Sequence, residues 1–362
     1  MSWDYFLDRE GEISREVILQ YRESLSTSKK SYSGRDLNRK TEEARRRLRE
    51  KLYSGINGDP SRLLSTQLLD DVTLWWFGDS PRKEDARHET YMPLAQEKLV
   101  ISEPGKLCEG IDLRPNFTHM PSSHWLGLEV KFEFLTPWYS KDDRLFHLLE
   151  NPVRKDRVFG VPFMAAASWK GLLRWACRMQ AGLMQHVAEG KRFEEWKDPD
   201  WILHLFGSEK GKRSDFHQAA LVFYPTWFDK IAFEAINPHN REHRAGTKPI
   251  YYEVVPGRRS RRNNPNENGY EEGGKGVLQL LYAPWPGMKR AVKSDEVIPR
   301  LLEAMDVLLN TYGISAKRTV GWGTAQITKW KAFRNGHNPV ESKDRSQLWE
   351  QIQGWFSGGH AP

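Results

Sequence analysis

The chain has 362 residues, enough for one large domain or two ordinary ones, and carries 55 Lys and Arg against 48 Asp and Glu, a formal charge of +7. That excess suits an acidic partner such as nucleic acid without proving one. Cys108 and Cys177 have no CxxC partner, which argues against a zinc ribbon or disulfide scaffold, and no run approaches the 18 apolar residues of a membrane span.

The opening MSWDYFLDREGEIS has no apolar leader pattern, so a reducing cytoplasm and no membrane partner are expected. EISREVILQYRESL and RDLNRKTEEARRRLREKLYSG read as charged helices, the second closed by Gly55 and rich in Arg45, Arg46, Arg47 and Arg49. Such a helix serves equally as a solvated face or as a nucleic-acid contact. SRLLSTQLLDDVTLWWFG reads as a third helix, and residues 79–123 as loops and short strands. Residues 1–123 are thus expected to form a mostly helical extension.

From Trp125 the pattern changes. WLGLEVKFEFLTP alternates, placing Leu126, Leu128, Val130, Phe132 and Phe134 on one strand face. A charged loop, SKDDRLFHLLENPVRKDRVFG, leads into FMAAASWKGLLRWACRM. There Ser168 is expected to cap a helix, with Lys170, Arg174 and Arg178 along one side and Trp169, Leu172, Leu173, Ala176 and Leu183 along the other. A surface helix with a solvated basic face has the same pattern. A short helix breaks at Gly207, AALVFYPTW reads as a strand, and FEAINPHNREHRAGTKPIYYEVV as a hairpin or protruding loop.

GRRSRRNNPNENGYEEGGKG is turn-rich and basic, with Arg258 and Arg259 at its start. It reads either as a mobile surface loop or as a finger that orders on RNA, and its deletion is expected to leave the fold intact. VLQLLYAPW is a further strand, and SDEVIPRLLEAMDVLLNTYG an amphipathic helix closed by Gly313. In YGISAKRTVGWG, the glycines 313, 321 and 323 bracket Lys317 and Arg318, a pattern suited to close approach by a phosphate backbone and also found in ordinary glycine-rich turns. TAQITKWKAF closes the fold, and a polar tail, 336–362, holds a short helix.

The order strand, helix, strand, strand, helix, strand predicts an α+β chain with a ferredoxin-like, RNA-recognition-motif-like β-α-β-β-α-β core over 124–335, interrupted by long loops and an insertion at 256–276.

The run NPVRKDRVFGVPFMAAASWKGLLR, the LFGS at 205–208, INPHNREHRAGTKPIYYEVVPG and GISAKRTVGWG resemble, in order, motifs of the repeat-associated mysterious protein (RAMP) superfamily. The closest likeness is to type III CRISPR backbone subunits that cap the 3′ side of the guide RNA. The resemblance covers about 125–335. It implies a subunit that binds the guide backbone and helps form the guide–target channel in antiviral defence. Its partners would be guide RNA, target RNA and the other backbone and large subunits. Arg154, Ser168, Lys170, Arg174, Arg178, Arg258, Arg259, Gly313, Lys317 and Arg318 are the candidate RNA contacts, and 237–255 the wedge between guide and target. Catalytic relatives use an aspartate before the proline, where this chain has Glu150; Asp142 and Asp143 lie upstream. An enzyme is not the favoured expectation. No cofactor is required, and Mg2+ would enter only with target-RNA cleavage. Two alternatives stay open: a stand-alone, metal-independent endoribonuclease that processes guide precursors, with His147, His204, His217, His239 or His243 as base, and a basic interaction protein without RNA.

Overall fold

The computed structural model describes residues 106–108, 111–143, 148–156, 161–208, 216–238, 246, 249–260, 270–285, 288 and 292–356, with 20, 23, 27, 30–37, 39, 40, 43, 87, 88 and 92 before them. Two compact units are present. The smaller comprises 1–101, 142–161 and 231–253; the larger comprises 102–141, 162–230 and 254–362.

The larger unit is built on one antiparallel sheet. Its strands are β1 (Leu126–Phe134), β2 (Leu221–Phe223), β3 (Lys275–Tyr282), β4 (Ala325–Phe333) and β5 (Val340–Ser342), in the spatial order β5-β4-β1-β3-β2. Between β1 and β2 runs helix α1 (Ala166–Gln180), and between β3 and β4 helix α2 (Ser294–Val307). The chain therefore runs strand, helix, strand, strand, helix, strand before β5 extends the edge.

Period-two alternation explains β1. Leu126, Leu128, Val130, Phe132 and Phe134 are at most 1% exposed, and burial of each such side chain contributes about 1.5–3 kcal/mol. On α1, Trp169, Leu173, Ala176 and Cys177 recur at helical spacing and are buried. Trp169 meets Phe132 edge-on at 6.1 Å, and its indole N–H donates to Thr226 Oγ1, which donates in turn to the Val277 carbonyl. This chain of contacts ties α1 to the sheet.

The opposite sheet face carries Glu129, Lys131 and Glu133 of β1. At one end Phe117 lies over Gly127, where a Cβ would sit 2.5 Å from the Phe117 ring, and packs with Met120, Leu281, Ala283 and Phe333. The rest is a groove of about 570 Å³ bordered by Arg114, Asn116, Lys131, Lys275 and Lys331. The phenylalanines whose rings lie on this face, Phe117 and Phe333, are buried. The rings with accessible surface near this face are at its Phe117 end, where the partly buried Trp125 and Tyr224 pack on the cluster and the exposed Trp285 meets Trp125 edge-on at 6.4 Å.

Several expectations change. Ser168 is not the cap: Ala165 is, and the N–H groups of Ser168 and Trp169 already bond its carbonyl, because the small-residue run enters the helix earlier. AALVFYPTW is two short strands, Leu221–Phe223 and Thr226–Trp227, parted at Pro225, which has no N–H for a ladder. The 256–276 segment is not a detached loop. Arg259–Ser260 pairs antiparallel with Tyr270–Glu271, the Gly274 carbonyl accepts from Phe134 N–H, and Lys275 and Gly276 belong to β3. Deleting the whole segment would therefore cut into the sheet. A further helix, α3 (Arg345–Ile352), follows β5, its start capped by Asp344, which accepts from the N–H groups of Ser346 and Gln347.

In the smaller unit the strands Ala232–Ile236 and Ile250–Val254 pair. Lys155 and Glu253 form a fully buried ion pair at 2.6 Å, with Val153 N–H also donating to Glu253 at 3.1 Å. Residues 34–37 are helical. The candidate helix 61–78, the arginines 45–49 and positions 239–245 of the expected wedge lie outside the described residues.

Candidate nucleic-acid interface

Helix α1 presents a low surface at its start. Ala167, Ser168 and Gly171 are exposed, and a Cβ added at Gly171 would meet nothing within 4 Å. Lys170 is half-buried beside them and, among the described residues, pairs with no carboxylate. Burial first, and the charge of Arg174 second, hold its ammonium below the ordinary lysine value. An arriving anion would offset both by favouring the charged form.

Arg174 and Arg178 stand differently. Both close on Asp198, Arg174 through Nε (2.9 Å) and Nη2 (2.6 Å), Arg178 through Nε (2.6 Å) and Nη2 (2.8 Å). The Trp196 indole N–H adds a bond of 2.9 Å to the same carboxylate. Burial pushes the Asp198 carboxyl up, but the bonds from Arg178, Arg174 and Trp196 together hold it below the usual aspartate value. The expected row of three open cations is thus one lysine with no carboxylate partner among the described residues and two arginines that share a single acid, a trio of net charge +1.

The glycine-rich turn is shaped by its glycines and by the segment leaving β1. Gly313, Gly321 and Gly323 all have positive φ (73°, 81° and 91°). Gly323 carbonyl accepts from Ile314 N–H at 2.9 Å, closing the turn at its base. Ser315 Oγ accepts from the N–H groups of Tyr139 and Lys317 and donates to the Tyr139 carbonyl, while Trp138 Nε1 donates to the Ile314 carbonyl at 3.0 Å. The base is therefore rigidly held and the tip, Thr319 to Gly321, is exposed.

Helix and turn meet. The Arg318 guanidinium lies over the Trp175 ring, 4.6 Å from its centroid, and Trp175 packs edge-on against Tyr312 at 4.8 Å. Sequence reasoning singled out Arg318 but not Trp175, whose only signal was its place next to Arg174 on the helix. It also missed Asp198, which nothing in the local pattern distinguishes from other loop acids.

Arg258 is a structural anchor. It forms a two-pronged ion pair with Glu133 (3.1 and 2.7 Å), and Gly273 N–H donates to the same carboxylate at 2.9 Å. The Arg258 bond foremost, against burial and with the Gly273 N–H, holds Glu133 below the usual glutamate value. Arg259 beside it is exposed.

In the smaller unit, Glu150 is 58% exposed and faces the buried Arg87 at 3.5 Å; Arg87 also covers the Tyr251 ring. Asp142 is buried, its N–H donating to the Pro152 carbonyl at 3.1 Å; Asp143 is exposed and Arg154 half-buried. Among the described residues no group of three or more His, Cys, Asp or Glu is placed to hold a metal ion. A carboxylate already facing an arginine, as Glu150 does, is a poor ligand for Mg2+. Of the histidines, His204 Nε2 is bonded to Tyr282 Oη at 2.9 Å in the core; 147, 239 and 243 lie outside the described residues.

A family model described as the RAMP superfamily matches residues 131–326. No curated protein matches the chain. Among solved structures it is similar to a chain of the type III-B Cmr-beta assembly bound to cognate target RNA, at 14% identity and a TM-score of 0.39, over 58% of this chain and 61% of that one. It is also similar to a chain of a CRISPR RNA-guided surveillance complex in a pre-nicking state, at 9% identity and a TM-score of 0.38, over 57% of this chain and 75% of that one. This chain thus spans about three fifths of the first of these neighbours.

Proposed function

This chain belongs to the RAMP superfamily, and from that premise we propose that it is a subunit of a type III CRISPR RNA-guided effector complex that grips the guide RNA backbone and helps form the guide–target channel. We read its β-α-β-β-α-β core as ferredoxin-like. The grip is the start of α1, with Ser168, Lys170 and Gly171, together with the Lys317–Arg318 turn.

One observation carries the reading: the Arg318 guanidinium lies over Trp175 of the same helix that bears Lys170, so the late turn and the mid-chain helix present cations to one neighbourhood. Phosphate contacts of this kind position a strand without reading its sequence, which suits a subunit that leaves sequence readout to base pairing. The pairing of Glu150 with Arg87 favours a binding role over a cleaving one.

The test is to purify the chain from its host, extract its nucleic acid, and measure RNA binding across salt. A discrete repeat-tagged RNA is expected. Lys170→Glu should weaken binding and reduce the slope of log K against log salt by about 0.7, one single-strand phosphate contact. Cleavage of naked repeat RNA by the isolated chain would favour a processing endoribonuclease instead. No salt-dependent RNA binding at all would leave a basic protein-interaction module.

A further inference from the structure

We infer that Trp175 is a positioning residue that holds Arg318 for a phosphodiester of the bound strand, an inference that rests on the RNA-gripping reading above. Arg318 has a long, flexible stem and, among the described residues, no carboxylate partner. What fixes it is the Trp175 ring at 4.6 Å. Trp175 is itself fixed by Tyr312, the residue before Gly313, so the indole is packed between the entry of the turn and its cation.

The geometry suits an anion. Stacking uses the face of the guanidinium, whereas its five N–H donors radiate in the plane. A guanidinium lying face-on over an indole keeps its in-plane fork free, so cation–π contact and bidentate phosphate binding need not compete. A lysine in place of Arg318 would lack both the planar face and the fork. The exposure of Trp175 also separates it from a core role. Trp138, Trp169 and Trp330 are at most 1% exposed, while Trp175 is half-buried and shares the accessible surface with Arg318.

The experiment uses fluorescence anisotropy with a labelled single-stranded RNA, the full chain and a salt series. Four single variants are compared: Trp175→Leu, Trp175→Phe, Arg318→Ala and Arg318→Lys. Trp175→Leu should bind about three- to tenfold more weakly, the worth of a partly exposed cation–π contact. The double variant that combines Trp175→Leu with Arg318→Ala should be no worse than Arg318→Ala alone, and Trp175→Phe should retain most of the binding. If wild type binds no RNA, the RNA-gripping reading fails. If wild type binds but Trp175→Leu matches it, or if the two losses add in the double variant, the positioning inference fails and the reading stands. Should Trp175→Leu not fold, Arg318→Lys decides: a loss of about threefold or more is expected where the fork matters, and binding equal to wild type overturns the inference.

Discussion

Asp198→Asn should move stability and RNA affinity in opposite directions. The substitution keeps the shape of the side chain and removes its charge. Asp198 is 3% exposed, and Arg174 and Arg178 are 12% and 14% exposed, so three nearly dry groups share one network. Breaking a fully buried pair costs about 3–5 kcal/mol. Here the guanidiniums keep an edge to water and the amide oxygen still accepts one bond, so the loss should be about 2 kcal/mol. The two arginines, no longer sharing a carboxylate, would raise the local charge by one beside Lys170 on the proposed RNA side. Each phosphate one of them gains should steepen the salt slope by about 0.7, giving about 0.7–1.4 in all. Urea unfolding reads the first effect and RNA binding across a salt series the second. If stability falls and the slope stays unchanged, Arg174 and Arg178 do not face the strand. If stability stays within about 0.5 kcal/mol of wild type, the network is not the one described. The acid limb adds a check. Asp198 titrates below its unfolded value, so its contribution is complete above about pH 4 and is lost as the pH falls through the folded value. Between those points the wild type should lose stability that the Asn variant never had.

The turn should discriminate between its own glycines. Gly321→Ala meets open space and has only its positive φ to overcome, about 1–2 kcal/mol; Gly323→Ala would in addition drive its Cβ into the Ser315 backbone nitrogen, and should cost clearly more and release the turn, read by thermal unfolding. Equal effects would refute the tight closure at Gly323. In the smaller unit Glu253→Gln leaves the buried Lys155 facing a neutral amide, with an expected loss of about 3–5 kcal/mol in urea; a loss under about 1 kcal/mol would count against the burial of that pair. Glu150→Ala removes the half-exposed acid that faces the buried Arg87, so a stability loss of about 1–3 kcal/mol is expected while any target-RNA fragments made by an assembled complex should persist; their disappearance would assign Glu150 to cleavage.

The elements were legible in the sequence wherever their pattern is local. Alternation over 126–134 marks β1, helical spacing of Trp169, Leu173 and Ala176 marks α1, and three glycines around Lys317–Arg318 mark the turn. A period of about 2 or 3.6 residues depends only on near neighbours along the chain, so one strand of text contains it. The partners of the charges are another matter. Arg174 and Arg178 meet Asp198 across 24 and 20 residues, and Arg258 meets Glu133 across 125. Counting cations along α1 gave three candidates alike; folding tied two of them to one acid and left Lys170. The same distance hid Trp175 beneath Arg318. Sequence alone settled which residues could carry charge to a polynucleotide. Only the tertiary structure decided which of those charges meet an acid and which face outward, because a screened, short-range attraction acts between groups that packing of distant segments brings together.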